Sequence, residues 1–366
     1  MSTADRPTES PAASDVAGAL ADAAFVRLVS AADGDALAAT GLLGRAVRML
    51  DVPFQASVLT PLGSATRNTD ADVTVAVGTD APAADLSLTG PSATQLAFAT
   101  ARDLGADPDV GLALAGTTVA GDAPGVYEAA EAAGIDRRPG LALATDETVD
   151  ALAHSTLVHA PFSGDPEATA AAVGDLEDSE DAGRRLASMV ALAAVESEAA
   201  PPRAADAVER ALYPYRLSGP FPTAGGYGDV LDCLARTAPG TGVALALGHD
   251  VRGAALDAWR DHASAAHEAV DEAVTGRYDG LFVARTPEAP LGTTARLVHG
   301  YRSPEPATLV VAEETAALVT TEADARRTLR TAVGDGGHAT GTERLAHARF
   351  AGEDTAFIGA VREVVA

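Results

Sequence analysis

The hydrophobic pattern alternates between two periods along the chain. Phe25–Ser30 is a short apolar run that reads as a buried strand, and it opens into the small acidic loop Ala31–Asp35. From Ala36 to Leu50 the period lengthens, with Leu37, Gly41, Leu42, Ala46 and Met49 along one helical face. Strands are predicted at Pro53–Thr60, where Phe54, Ala56 and Val58 alternate, and at Asp72–Gly78. Helical stretches follow at Ser92–Leu104, Asp109–Ala120 and Val126–Ala133. Strands alternating with helices of this length indicate an α/β layer around a largely parallel sheet.

A helical, acid-rich stretch at Glu167–Ala199 ends at Pro201-Pro202, and Ala204–Leu212 is a further short helix. After the Gly/Pro-rich segment Ser218–Gly228 the alternation resumes. The pattern predicts helices at Asp229–Arg236 and Gly253–Arg277, with a strand at Gly242–Gly248 between them. Strands are expected at Tyr278–Ala284, Ala307–Ala312, Ala316–Thr321 and Ala346–Phe350. Helices are expected at Ala323–Ala332 and, capped by Asp354, at the end of the chain. No repeat of solenoid length is present. The pattern thus predicts a flexible tail over 1–22, an α/β domain over 23–160, a helical connector over 161–217 and a second α/β domain over 218–366.

Composition narrows the class. The 366 residues are 47% hydrophobic but only 4% aromatic, so Ala, Val and Leu must build the core. The 52 acids against 26 cations give a net charge of −26, and every cation is arginine. A lysine-free acidic surface is what a high-salt cytoplasm favours, where carboxylates hold water and repulsion is screened within about 3 Å at 1 M salt. Such a charge does not exclude a nucleic-acid partner. One cysteine, Cys233, rules out a disulfide framework and is expected in the core. No apolar run approaches the ~20 residues of a bilayer span, and the N-terminus lacks the basic-then-apolar order of a signal peptide, so a cytoplasmic protein without membrane attachment is expected.

Three constellations could carry chemistry. Asp33-x-Asp35 sits just past the carboxyl end of the first strand, where parallel sheets expose their ligand edge, and two such carboxylates can face a hard cation. Spacing alone leaves open a loop with two solvated acids. Asp122, in Gly121–Gly125, could supply a third carboxylate or form a turn. Gly334-Asp335-Gly336-Gly337-His338 follows a helix carrying Arg326, Arg327 and Arg330, a pairing suited to phosphate contact through backbone N–H groups and guanidinium forks. His262 and His267 lie five apart, wrong for two ligands on one helix face, and the other histidines show no ligand spacing. Walker A, G-x-S-x-G and H-E-x-x-H motifs are absent, and without lysine no Schiff base can form.

The order of these pieces resembles the DHH phosphoesterase superfamily, and most of all archaeal RecJ-like proteins of haloarchaeal type. Val29–Val58 (VSAADGDALAATGLLGRAVRMLDVPFQASV) resembles the family's first motif, Leu112–Asp122 (LALAGTTVAGD) its fourth, and Gly334–Gly341 (GDGGHATG) the G-G-G-H motif of the DHH-associated domain. The similarity covers about residues 25–366. It implies a DHH-like parallel-sheet domain, a helical connector and a C-terminal DHH-associated α/β domain. It implies metal ligands at Asp33, Asp35 and Asp122, and nucleic-acid contacts from Gly336, Gly337, His338, Arg326 and Arg330. Departures accompany the matches. The first motif's His falls on Ala31 and its Gly on Ala36, the second motif's Asp falls on Ala76-Val77-Gly78, and Gly78–Ser92 holds no His where the Asp-His-His motif should follow.

Family members hydrolyse phosphodiesters with two Mn²⁺ ions. Three carboxylates alone would hold one Mg or Mn ion weakly, and the expected reading is therefore a catalytically eroded protein. It would bind single-stranded DNA or RNA, or serve a replication or repair assembly as a scaffold, as does a family branch that travels with the replicative helicase. The alternative is an active metal-dependent 5′→3′ single-strand exonuclease or phosphoesterase, with Asp80 and Asp85 as replacement ligands.

Overall fold

The computed structural model describes residues 11–63, 70–79, 81, 83–120, 123–174, 181–196 and 200–365. The chain begins with α1 (Ala13–Asp22), β1 (Val26–Ala31), α2 (Gly34–Met49), β2 (Phe54–Leu59), β3 (Val73–Val77) and β4 (Leu86–Leu88). Helices α3 (Ala93–Asp103), α4 (Val110–Ala120), α5 (Pro124–Ala132), α6 (Thr148–Ala153), α7 (Pro166–Val173), α8 (Ala182–Glu196) and α9 (Ala204–Glu209) follow. Next come α10 (Ala224–Thr237), α11 (Pro239–Ala246), α12 (Arg252–Glu272), the hairpin β5 (Val274–Tyr278) and β6 (Leu281–Arg285), and α13 (Leu291–Tyr301). The chain closes with β7 (Ala307–Ala312), β8 (Thr315–Thr320), α14 (Ala325–Val333), β9 (His338–Gly341), β10 (Leu345–Arg349) and α15 (Asp354–Val365). Contacts divide it into two compact units, one of residues 1–60, 65–136 and 215–258, the other of 61–64, 137–214 and 259–366.

The first unit is built on a four-stranded, all-parallel sheet in the order β2-β1-β3-β4. Strands β1 and β3 are neighbours whose outgoing connections run to opposite sides, so the acidic loop after β1 lies at a topological switch point. Helix α2 is buried on every face from Ala36 to Gly44. Few bulky residues are available to fill gaps around it, so neighbouring backbones approach through glycines. A Cβ on Gly41 would stand 2.6 Å from the Ala246 carbonyl of α11, and one on Gly116 of α4 would stand 2.7 Å from Ala38 Cβ. Gly228 of α10 meets the Ala115 carbonyl in the same way, at 2.5 Å.

The second unit carries a six-stranded mixed sheet, β5-β6-β7-β8-β10-β9, antiparallel throughout except for β6 beside β7. Alternating strand residues feed two cores. Ala284, Val310 and Ala317 face one that includes Val208, Val298 and Tyr301. Leu309, Val311, Leu318 and Ala348 face the other, with Leu329, Phe357 and Ile358 of α14 and α15.

The fold class agrees with the sequence pattern; several elements do not. The predicted tail gives way at Ala13 to α1, because Val16, Ala17 and Leu20 share a face that is buried. The predicted strand Gly242–Gly248 is the helix α11: Pro239 presets its first turn, and Gly242, Leu245 and Ala246 are buried at helical spacing. The helix expected to reach Arg277 stops at Glu272, and the strand expected over Tyr278–Ala284 is split by an Asp279-Gly280 hairpin, Gly280 having φ 75°. Residues 218–258, expected in the second domain, pack within the first unit. Asp354 opens α15, and its side chain pairs with Arg285 Nε at 2.7 Å. The strands β4 and β9, at three and four residues, are too short to show a period.

Gly41→Val places two methyl groups against the α11 backbone. It should lower stability by about 2–3 kcal/mol, several degrees in Tm, as overpacked cores do. Thermal unfolding in molar KCl checks this, and an unchanged Tm would contradict the close helix approach.

Candidate functional site

At the switch point of the first unit the two predicted acids are both held by protein donors. Asp33 is the N-cap of α2, its Oδ1 accepting from Ala36 N at 2.8 Å. Asp35, two residues later in the first turn of α2, reaches across to α3. Its Oδ1 accepts from Ser92 Oγ at 3.0 Å and Thr94 N at 3.0 Å, and its Oδ2 from Ala93 N at 2.7 Å. Asp35 therefore caps the exposed N–H groups at the start of a helix 58 residues away in sequence.

Between them, Gly34 N donates to Oδ1 of the buried Asp232 of α10 at 3.1 Å. Gly34 has no room for a side chain: a Cβ would lie 3.0 Å from Val119 and 3.1 Å from Gly228 O. Asp232 is paired in turn with Arg236, whose NH1 lies 2.6 Å from Asp232 Oδ2. Burial works against the charge on Arg236, but Asp232 outweighs it and raises the arginine's pKa. Burial, with Asp35 and Asp232 close by, pushes the Asp33 carboxyl up to about 6, against the pull of Arg236. Burial also raises Asp35, opposed by hydrogen bonds from Thr94, Ala93 and Ser92 at the start of α3.

This donor set does not suit a hard divalent cation. Both acceptor positions of Asp35 Oδ1 are used, and Asp33 retains only Oδ2 beside a built-in guanidinium, whereas Mg²⁺ demands six oxygens in near-ideal geometry. No group of three or more His, Cys, Asp or Glu side chains able to hold a metal occurs among the described residues. Asp122, the third predicted ligand, and Asp80 lie outside the described residues. Asp85 accepts from Thr74 N at 2.8 Å, tying β4 to β3. The positions where the resemblance would have His, Gly and Asp are closed by small carbon: a Cβ on Gly78 would stand 2.7 Å from Ala36 Cβ and 3.4 Å from Ala31 Cβ.

In the second unit, α14 buries Ala325, Thr328 and Leu329 and exposes Arg326, Arg327 and Arg330, none of which makes an ion pair among the described residues. The helix leads into a short turn, Gly334–Gly336, and then into β9. Gly337 is needed for packing, since a Cβ would fall 2.6 Å from Arg349 O and 2.6 Å from Val333 Cβ, while Gly336 stands in open space. His338 is exposed and lies opposite the exposed Arg349 in the β9–β10 register. Cys233 is buried, as expected of a core residue.

Sequence spacing missed one constellation. His159 and His267, 108 residues apart, meet Nδ1 to Nδ1 at 3.1 Å, with Asp271 at 3.5 Å from His159 Nε2. No local signal could join a loop residue to α12 over that distance. Burial and the neighbouring His159 lower His267 to about 3. His299, pinned by Arg203 NH1 at 2.9 Å and Thr308 Oγ1 at 3.0 Å, is lowered by burial and by that arginine to about 4.

The two-unit α/β architecture is shared with solved structures of low sequence identity. Cdc45 from Entamoeba histolytica superposes with a TM-score of 0.51 at 8% identity, over 93% of this chain and 95% of that one. Exonuclease RecJ bound to manganese gives 0.49 at 15% identity, over 98% and 94%. The likeness to Cdc45 shows the fold. At the sequence level, the family described as "Uncharacterized protein rrnAC1427, C-terminal domain" matches residues 273–363, the hairpin β5–β6 through α15. The uncharacterized protein rrnAC1427 of Haloarcula marismortui is 53% identical over 372 residues, covering 99% of both chains. This chain belongs to that protein's family.

Asp35→Ala should lower stability by about 1–2 kcal/mol or more, because it leaves the Ala93 and Thr94 N–H groups in the first turn of α3 without their acceptor. Denaturant unfolding checks this; a stabilised variant would instead mark Asp35 as an unsatisfied acid. Stability should also fall in acid as the unfolded chain takes up protons that native His267 and His299 refuse. The loss begins near pH 6.5 and runs down towards pH 4 and 3, at up to about 1.4 kcal/mol per pH unit for each histidine. Asp33, with its raised pKa, acts in the opposite sense between about pH 4 and 6. His267→Gln should flatten the acid limb measured by chemical denaturation across this range.

Proposed function

We propose that this chain is a RecJ-like, non-catalytic protein that binds the phosphate backbone of single-stranded nucleic acid within a replication or repair assembly. The observation that carries the binding role is the arginine face of α14. In a protein of net charge −26, three exposed arginines on one helix, without ion-pair partners among the described residues, form a local cationic face that an anion can meet. Arginine forks pair with phosphate oxygens bidentately, and the following turn adds exposed Gly336 and His338.

Salt decides whether the surrounding acids forbid this. At about 0.15 M the Debye length is about 8 Å and distant carboxylates repel a polyanion; at 1 M it is about 3 Å and only contact pairs survive. The lysine-free acidic surface suits such a medium, in keeping with the haloarchaeal source of the relative. Aromatic side chains are scarce, so base stacking contributes little and the backbone dominates recognition. The commitment of Asp35 to α3, and the closure of the switch point by Ala31, Ala36 and Gly78, support a binding role over hydrolysis.

Fluorescence anisotropy with 5′-labelled single-stranded DNA and RNA, across a KCl series, tests this reading. The triple variant Arg326→Gln, Arg327→Gln, Arg330→Gln should bind more weakly, and its salt slope should shrink by about 2, at ~0.7 per lost phosphate contact. The same samples, supplied with Mn²⁺ or Mg²⁺, should leave the strands intact. Degradation by the wild type that vanishes in an Asp35→Ala variant of intact fold would overturn the non-catalytic reading in favour of an exonuclease. Equal binding by the triple variant would overturn the placement of the phosphate surface.

A further inference from the structure

The six-stranded sheet of the second unit ends on one side at β5, whose outer edge pairs with no other strand among the described residues. The strand is exposed along most of its length. Val274, at 68% exposure, is the most exposed large apolar side chain among the described residues. The turn Asp279-Gly280 closes on the pair Tyr278–Leu281, so the main-chain groups of Tyr278, Gly276 and Val274 point to β6. By the same alternation Thr275 and Arg277 turn their N–H and C=O groups outward. Natural sheets blunt such edges with lysine, proline or a bulge. This strand has no lysine and no proline, and its register to β6 is unbroken from Val274 to Tyr278.

The strand is complementary to itself. A second β5 laid antiparallel about a two-fold axis at Gly276 sets Thr275 opposite Arg277 and Val274 opposite Tyr278. The outward groups of Thr275 and Arg277 then bond reciprocally on either side of the axis. Glycine suits the axis itself, because opposed residues of a non-hydrogen-bonded pair approach to about 4.5 Å between Cα atoms. Val274 packs on Tyr278 of the second copy, a β-branched side chain against an aromatic one. On the same face Val274, Arg285, Val311, Glu313 and Asp354 line a cavity of about 340 Å³. The guanidinium of Arg362 lies 4.1 Å from the centroid of the Tyr278 ring, so the second copy brings a cation beside a wall that holds two carboxylates. Arg277 lies diagonal to its own copy across the axis, and Glu305, 2.5 Å from its Nε, offsets the charge of each.

We propose that β5 pairs with β5 of a second copy of this chain, antiparallel about Gly276, and joins the two mixed sheets into one. The interface is small. One strand and the side chains around it fall below the ~800 Å² per partner of a standard interface, which sets the dissociation constant at about 1–100 µM. Each copy carries a net charge of −26, and molar salt screens the repulsion within about 3 Å. The association therefore belongs to the medium that the acidic surface suits. The opposite edge of the sheet, β9 beside α14, takes no part, so the pairing does not depend on the nucleic-acid reading.

Analytical ultracentrifugation of the full chain in molar KCl, over a protein concentration series, tests the pairing. The mass should rise from 36.7 kDa towards twice that value as the concentration passes through about 1–100 µM. Thr275→Pro removes an outward N–H and leaves the bonds to β6 in place, so the chain stays folded, as thermal unfolding verifies. Its dissociation constant should be at least about tenfold higher. Gly276→Cys reads the register. Opposed Cα atoms about 4.5 Å apart lie within disulfide range, and a Cβ at Gly276 meets only the Tyr278 ring, at 3.7 Å, an ordinary contact. Oxidation should link this variant into a covalent dimer, while the native Cys233 is buried and takes no part. Asp279→Cys, whose copies would stand about 20 Å apart, should stay unlinked. A monomer at every concentration would overturn the proposal. A dimer that Thr275→Pro leaves unchanged, or one linked through Asp279→Cys and not through Gly276→Cys, would place the contact on another surface or register and overturn it equally.

Discussion

Close approach of helical backbones around α2 is the constraint on which the first unit depends. A core with few aromatic rings cannot tolerate gaps, because an Ala or Val lining loses its contacts outright when a neighbour is an ångström too far. The unit meets this by removing side chains where helices cross. Gly41, Gly116 and Gly228 each admit a neighbouring atom that any Cβ would displace. Burial of α2 on all faces follows, and so does the position of the loop that precedes it.

That position governs the acids. Once α2 is wedged between β1 and its neighbouring helices, Gly34 is pressed against α10 and Asp35 against the start of α3. The carboxylates then serve as caps and as partners of nearby donors, and Arg236 supplies the local positive charge from within the chain. Such a cluster is worth more as geometry than as energy: buried ion pairs roughly break even, whereas removing one partner strands a charge. The loop's hydrogen bonds hold three helices, α2, α3 and α10, in register.

Charge is distributed by a different rule. Carboxylates so outnumber cations that an arginine without an ion pair among the described residues is the informative observation, and α14 presents three on one face. In the second unit burial lowers the pKa of His267 and of His299, both hydrogen-bonded, and the packing of α12 and α13 thereby carries a dependence on acid. One of them, His267, also orients an imidazole that lines a cavity.

The sequence by itself determined the alternation of strands and helices, the acidic loop at the end of β1, the small-residue core and the basic face of α14. Each is written in local period or composition. The tertiary structure decided what local chemistry leaves open. Whether Gly242–Gly248 is strand or helix depends on the face that Leu37 and Leu234 offer to Gly242, because a short apolar run satisfies either period. Asp35 against the first N–H of α3, and His159 against His267, join residues 58 and 108 positions apart. No period spans such distances; only the packing that closes each core brings those atoms within hydrogen-bonding range.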